Sequence, residues 1–355
     1  MKRVKPINLF SITLLLLLQL LFLSPIASAQ FSQVISIGDS LSDVGNTQDV
    51  SFGTTPASPN FMGRFSNGQV WNELLAIELG LSPPDNSRDG GTNYAYGGAL
   101  TSQDVNITIL FIFTITLPSA TSQTFDFLGD VSNVADPDAL YTLSIGGNDI
   151  LEAGEALSIN ATNAEIEAAK QEMRNIAGSV QVAIQQLLNS LSTLGAARIV
   201  MLNVPNVGVT PRAIADGKEF IFQQLSEAYN EGLSNVVTSL NDNRILLVDF
   251  YALTNDAAAN PASYGFTNVT DRCWSESAGT VCPNADEYLF WDDIHPTTMG
   301  HTLLMLSVYD QLFAPEPTNV PIAPIYICLL LLMMTAAVRV YSANKKSPGM
   351  PGRVS

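Results

Sequence analysis

The sequence predicts an α/β domain built on a mostly parallel sheet with helices on both faces. Short apolar runs lie at Val34–Ile37, Ala139–Ile145, Arg198–Leu202 and Arg244–Phe250. The first three are closed by glycine, asparagine or proline, as strands buried on both faces are. Longer segments between them carry apolar residues at helical spacing, most clearly 163–194 and 219–240. Strands that alternate with helices at this interval form parallel sheets covered on two sides.

Taken in order, the first run stops at Gly38, and Ser40 follows two residues later. That is a buried strand entering a tight turn with a serine at its tip. Asp39, Ser40 and Ser42 also suit a helix N-cap, and this stretch alone leaves both readings open. Leu41 to Asn46 leads into a loop or short helix, and Ser51 to Asn67, rich in Gly, Pro, Ser and Asn, is loop. Gln69 to Leu79 reads as a helix with apolar Val70, Leu74, Leu75 and Ile77. Thr92 to Tyr96 is a short strand ending at Gly97-Gly98. Ile107 to Leu117 is dense in β-branched and aromatic residues. It reads as a buried or edge strand, or as an apolar flap beside an active site. The run 139–145 ends in Gly146-Gly147-Asn148-Asp149, and the run 198–202 is closed by Asn203 and Pro205. Tyr251 to Tyr288 reads as irregular, and Thr298 to Phe313 as a last helix. No repeat and no break in composition divides the body.

With 46% hydrophobic residues the chain has ample material for a core. Seven of its 16 basic residues (Lys2, Arg3, Lys5, Arg339, Lys345, Lys346, Arg353) lie near the ends. The body is therefore more acidic than the total charge of −17 implies. Such a body repels nucleic acid and anionic membrane surfaces. Residues 1–29 read as an export signal: a basic start, apolar Leu14 to Leu23, and Ala27-Ser28-Ala29 before Gln30. In an oxidising compartment Cys273 and Cys282 are expected to pair. No Cys-x-x-Cys or histidine cluster points to a metal.

A serine becomes a nucleophile when a base lies within hydrogen-bond reach and a third group orients that base. Histidine suits the base because its pKa lies near working pH. The chain has two, His295 and His301. His295 precedes Pro296 and is expected on a loop, whereas His301 falls inside the last helix. Asp292 and Asp293 both lie close enough to serve as the orienting carboxylate.

Four blocks resemble those of the GDSL, or SGNH, family of serine esterases and lipases. They are Gly38-Asp39-Ser40-Leu41, the glycine block Gly91 to Ala99, Gly146-Gly147-Asn148-Asp149, and Asp292 to His295. Gly63 to Gly68 also resembles a segment common in that family. The likeness runs from about Val34 to about Leu312. It implies a three-layer α/β/α, flavodoxin-like sandwich on five parallel strands. It also implies a triad of Ser40, His295 and Asp292, since the family's Asp-x-x-His spacing selects Asp292 over Asp293. The oxyanion donors it implies are the Ser40 and Gly97 amides and the Asn148 side chain, with Gly98 as the alternative to Gly97. Asp39, Asp43 and Asn46 are expected to hold the serine turn. No cofactor is implied.

The expected activity is hydrolysis of a carboxylic ester or lipid through an acyl-Ser40 intermediate. Deacetylation of polysaccharide is an alternative, and a non-catalytic surface binding protein on a hydrolase scaffold is another. The hydrolase domain is expected over 30–313, followed by a proline-rich linker, 314–324. The apolar segment 325–340 and the basic tail 341–355 then read as a membrane span with a cytoplasmic end. That order resembles the PEP-CTERM class of bacterial sorting tails, here around Val320 to Pro324 with Pro315-Glu316-Pro317 a few residues early. It implies an exported domain held at the membrane or surface until a sorting enzyme acts.

Overall fold

The computed structural model describes residues 31–109, 113–191 and 196–314. The chain begins with β1 (Val34–Gly38), α1 (Asn46–Val50) and α2 (Trp71–Glu78). An antiparallel pair follows, β2 (Val105–Ile109) and β3 (Phe113–Leu117), then α3 (Ala120–Asp130) and β4 (Leu140–Ser144). Next come α4 (Gly147–Ala156), α5 (Asn163–Ser190), β5 (Arg198–Leu202), α6 (Pro211–Asp216), α7 (Glu219–Leu240) and β6 (Ile245–Val248). The last part holds α8 (Phe250–Ala259), short strands β7 (Asn268–Arg272), β8 (Trp274–Ser275), β9 (Thr280–Val281) and β10 (Tyr288–Phe290), and α9 (Thr298–Leu312).

The sheet runs β1-β4-β5-β6, every pair parallel. Side chains alternate faces along a strand, and the two faces lead to separate cores. Ile35, Ile37, Leu143, Ile199 and Met201 pack with α3, α5 and α7 through Phe127, Ile184 and Phe222. Val34, Leu140, Val200, Leu202 and Val248 pack with α2 and α9 through Trp71, Leu75, Leu304 and Val308. The architecture is the expected three-layer α/β/α sandwich.

The expected strand at 92–96 takes the fifth place beside β1 without completing a ladder. Ser36 N donates to Thr92 O, Tyr94 N to Ser36 O and Tyr96 N to Gly38 O, but only Asn93 forms a bridge with Ser36. The Asn93 side chain competes with the ladder: its Oδ1 accepts from Ala95 N and its Nδ2 donates to Ser42 O. Of the stretch 107–117, the described residues 107–109 and 113–117 belong to a separate antiparallel pair, with Ile107 opposite Ile115, not to the main sheet. Four helices escaped the sequence reading, α3, α4, α6 and α8. Ser119 caps α3 by accepting from Ser122 N, and Asp249 caps α8 by accepting from Ala252 N.

Cys273 and Cys282 are joined, with Cα atoms 4.8 Å apart. The neighbouring Trp274 stacks on Trp291, and Cys273 N donates to Phe290 O. The bridge thereby braces the strand that leads to Asp292. The described fold is one compact unit up to Leu312. Among the described residues no helix is long and apolar enough to cross a membrane. The segments 1–29, 325–340 and 341–355, and nearly all of the linker, lie outside the described residues.

Candidate active site

At Gly38 the chain leaves β1. Gln123 of α3 replaces the lost ladder, accepting from Gly38 N at 2.8 Å and donating to Gly38 O at 2.9 Å. A side chain at Gly38 would meet the Ser144 carbonyl oxygen at 2.3 Å, so only glycine lets β1 and β4 lie this close here. Asp39 then closes a turn around Ser40: its carbonyl accepts from Ser42 N and Asp43 N, and its carboxylate from Leu41 N. Asp43 is the hub below. Its Oδ1 accepts from Gly45 N and Asn46 N, and its Oδ2 from Thr47 N and Gly97 N. Asn46 Nδ2 donates to the carbonyls of Asn93 and Ala95. Asp39, Asp43 and Asn46 thus fasten the serine turn to the 93–97 segment.

Across from this turn stands the loop between β10 and α9. His295 Nε2 lies 2.8 Å from Ser40 Oγ, and His295 Nδ1 lies 2.7 Å from Asp292 Oδ2. Asp292 Oδ1 accepts from the amides of Ile294 and His295, so the carboxylate is fixed before it meets the ring. Phe65 packs against the imidazole, ring centroids 5.2 Å apart. Asp293 turns outward to Arg272, which removes it as a partner for His295. His301 is buried in α9, and its ring nitrogens have no hydrogen-bond partner among the described residues. Burial, with His295 nearby, pushes its pKa down to about 3.

The electrostatics differ from group to group. Burial lowers the His295 pKa, but the Asp292 carboxylate more than offsets this and leaves it above the ordinary value. Burial raises the Asp292 pKa, and the imidazole and backbone amides overcome that to hold it below the usual range. Asp39, buried beside them, is pushed up to about 7.

Asn148 sits in the first turn of α4 and its Nδ2 donates to Ala99 O at 2.9 Å. An amide nitrogen carries two hydrogens, so one remains. The Gly97 amide is spent on Asp43 at 2.9 Å. Gly98 has φ +83, and its amide meets no acceptor among the described residues. A pocket opens above Ser40, Asn148 and His295, walled by Leu151, Val207, Val209, Leu289, Phe290 and Ile294. Phe65 and Gln123 were not singled out from the sequence. Phe65 lies inside the Gly63 to Gly68 segment, which was a signal; Gln123 had none.

The family model for GDSL-like lipase/acylhydrolase matches residues 34–308. A GDSL esterase/lipase of Arabidopsis thaliana is 23% identical over 332 residues, covering 80% of this chain and 90% of that protein. Lipase 1 of Photorhabdus luminescens is 28% identical, covering 85% of this chain and 54% of that protein. The crystal structure of phospholipase A1 from Streptomyces albidoflavus aligns over 79% of this chain and 99% of that one, with 15% identity and a TM-score of 0.45. With most of its length matched by that model, the chain belongs to the GDSL lipase/acylhydrolase family and is a carboxylester hydrolase.

Proposed function

We propose that Ser40 is the nucleophile, His295 the general base and acid, and Asp292 the group that orients and charges the ring. The observation that carries this reading is the unbroken line Ser40 Oγ, His295 Nε2, His295 Nδ1, Asp292 Oδ2, with contacts of 2.8 Å and 2.7 Å. As Ser40 Oγ attacks the ester carbon, its proton passes to His295 Nε2. Asp292 stabilises the imidazolium so formed. The tetrahedral oxyanion is received by the Ser40 amide, the remaining hydrogen of Asn148 Nδ2 and a glycine amide. Because the Gly97 amide is committed to Asp43, the role expected of it passes to Gly98. Collapse expels the alcohol, which takes the proton from His295. Water then releases the acyl group from Ser40 by the same path.

The pocket favours an ester with an apolar acyl chain over an acetylated sugar. Its walls are mostly aliphatic and aromatic, with Asn206, Thr210 and Thr254 among them, and a mostly apolar wall rewards methylenes while offering sugar hydroxyls few partners. Leu151 stands three residues after Asn148 on α4 and lines the pocket with it. Each methylene buried there should raise kcat/KM about fourfold, from roughly 0.8 kcal/mol per CH₂. Soluble chromogenic esters of rising chain length test this. Rates should climb with length in the wild type and stop climbing earlier in Leu151→Trp. A flat profile in the wild type would favour the acetyl-ester reading.

The protein is also read as exported and tethered. The Cys273–Cys282 bridge supports an oxidising compartment. The apolar run at 325–340, with basic residues beyond it, supports a tether to the membrane, lasting or removed by a sorting enzyme.

A further inference from the structure

The sheet carries the 92–96 segment on the opposite side of β1 from β4. On that flank lies a second cavity, of about 440 Å³, which the reaction at Ser40 does not require. Gly97, Gly98 and Phe65 line it together with Thr47, Ile107 and Ile115. Phe65 is the ring that packs on His295, so a single side chain stands between this cavity and the imidazole.

Ile107 lines the cavity, and the segments that carry Ser51 and Ile115 hold further exposed apolar side chains. Phe52 is 69% exposed, Met62 68%, Phe113 50% and Ile107 40%. Phe52 and Phe113 touch, ring centroids 5.9 Å apart, which joins the loop after α1 to the antiparallel pair. The loop carrying Met62 packs through Gly63 on Gly45 and Gln48 at the start of α1. Phe52 and Met62 both have left-handed backbone, φ 56 and 45, a conformation that bulky side chains avoid. The loop therefore holds two large apolar side chains in water at a conformational cost.

Charge narrows the partner. None of Val50 to Gly63, Val105 to Ile109 and Phe113 to Leu117, which make two neighbouring surface segments, contains a charged residue, in a chain of net charge −17. An apolar surface can approach these two segments without stripping water from ions, while an anionic membrane is repelled by the rest. A protein seated here would close the cavity, whereas a lipid aggregate would fill it.

We propose that Phe52, Met62, Ile107 and Phe113 form a docking rim that seats the enzyme on a lipid–water interface without net charge, and that the cavity admits ester from that surface. The docking stands on the rim alone; the admission of ester rests on the hydrolase reading above.

The test uses the full chain throughout, so the C-terminal segment is common to every variant. F113W places an indole on the rim, and F220W places one on an exposed phenylalanine outside it. With vesicles of brominated phosphatidylcholine, F113W fluorescence should be quenched beyond wild type and F220W should not. A second variant, F52N/F113T, puts a residue tolerant of positive φ at 52 and a β-branched one in the strand. It should lose roughly tenfold on emulsified triacylglycerol, as removal of two apolar anchors implies, and keep its rate on soluble p-nitrophenyl acetate. No added quenching of F113W, or an unchanged emulsion rate in F52N/F113T, overturns the docking. If wild type hydrolyses no ester at all, the catalytic reading fails, and the quenching still decides the docking.

Discussion

Asp292 and burial pull the His295 pKa in opposite directions, and the carboxylate wins. In the proposed mechanism His295 must be neutral to accept the Ser40 proton. A raised pKa keeps it protonated to higher pH, so activity should fall on acidification with a midpoint above the ordinary value of about 6.5. In Asp292→Asn the attraction is gone and burial remains. The acid limb of kcat/KM should then move to lower pH while the rate drops roughly 10²–10⁴-fold; an unmoved limb would show that Asp292 does not set the ring's charge. Ser40→Ala and His295→Ala should each lower kcat on the order of 10⁴–10⁶-fold. The double variant should be hardly worse, because the two act as one unit; losses that multiply would break the triad assignment. This grouping was legible in the sequence because the chemistry needs particular residue types on the loops that follow strands, and the chain has only two histidines. The choice of Asp292 over Asp293 came from the resemblance to the family's Asp-x-x-His block, and Arg272 now accounts for Asp293. Gly97 and Gly98 could not be separated in the sequence. What distinguishes them is the direction of an amide, and Asp43, 54 residues before Gly97 in the chain, fixes that.

The strands were the most legible elements, because a parallel strand buried on both faces must be apolar at nearly every position. The segment 92–96 broke that rule through Asn93, whose side chain bonds at a turn and so frays the strand. The helix α8 was missed because its start depends on Asp249 acting as a cap, in a region whose prolines and glycines read as loop. Glycines show how packing decides an element's tolerance. Gly38→Ala would place a methyl group 2.3 Å from the Ser144 carbonyl oxygen. Neither backbone can yield without parting β1 from β4. The loss should be at least ~1–3 kcal/mol, read as a lower urea midpoint. Gly178→Ala, inside α5 with nothing within 4 Å, should instead gain about 0.4–1 kcal/mol. If both variants shifted the midpoint the same way, close packing at Gly38 would not be what demands a glycine there.

At the scale of the molecule, the catalytic body and the C-terminal segment are separate questions. The compact unit up to Leu312 contains every group proposed to take part in the reaction, from Ser40 to His295. The sequence beyond it changes character: four prolines between 315 and 324, then an apolar run, then Arg339, Lys345 and Lys346. Counted from Ile322, with Pro324 near the helix start, the run to Val338 is 17 residues, near the lower limit for spanning a bilayer, and trailing basic residues favour a cytoplasmic end. A body with its own core needs nothing from such a segment to fold. Ending the chain after Asn319 should therefore leave turnover of a soluble ester unchanged and release the enzyme from the membrane fraction. The full chain, expressed in a bacterial host with residues 1–29 in place, should stay with membranes or be recovered shortened near residue 320. Full-length protein that is soluble, uncut and less active once truncated would mean that the segment packs on the body instead. In that case the apolar run would belong to the enzyme's core and not to a tether.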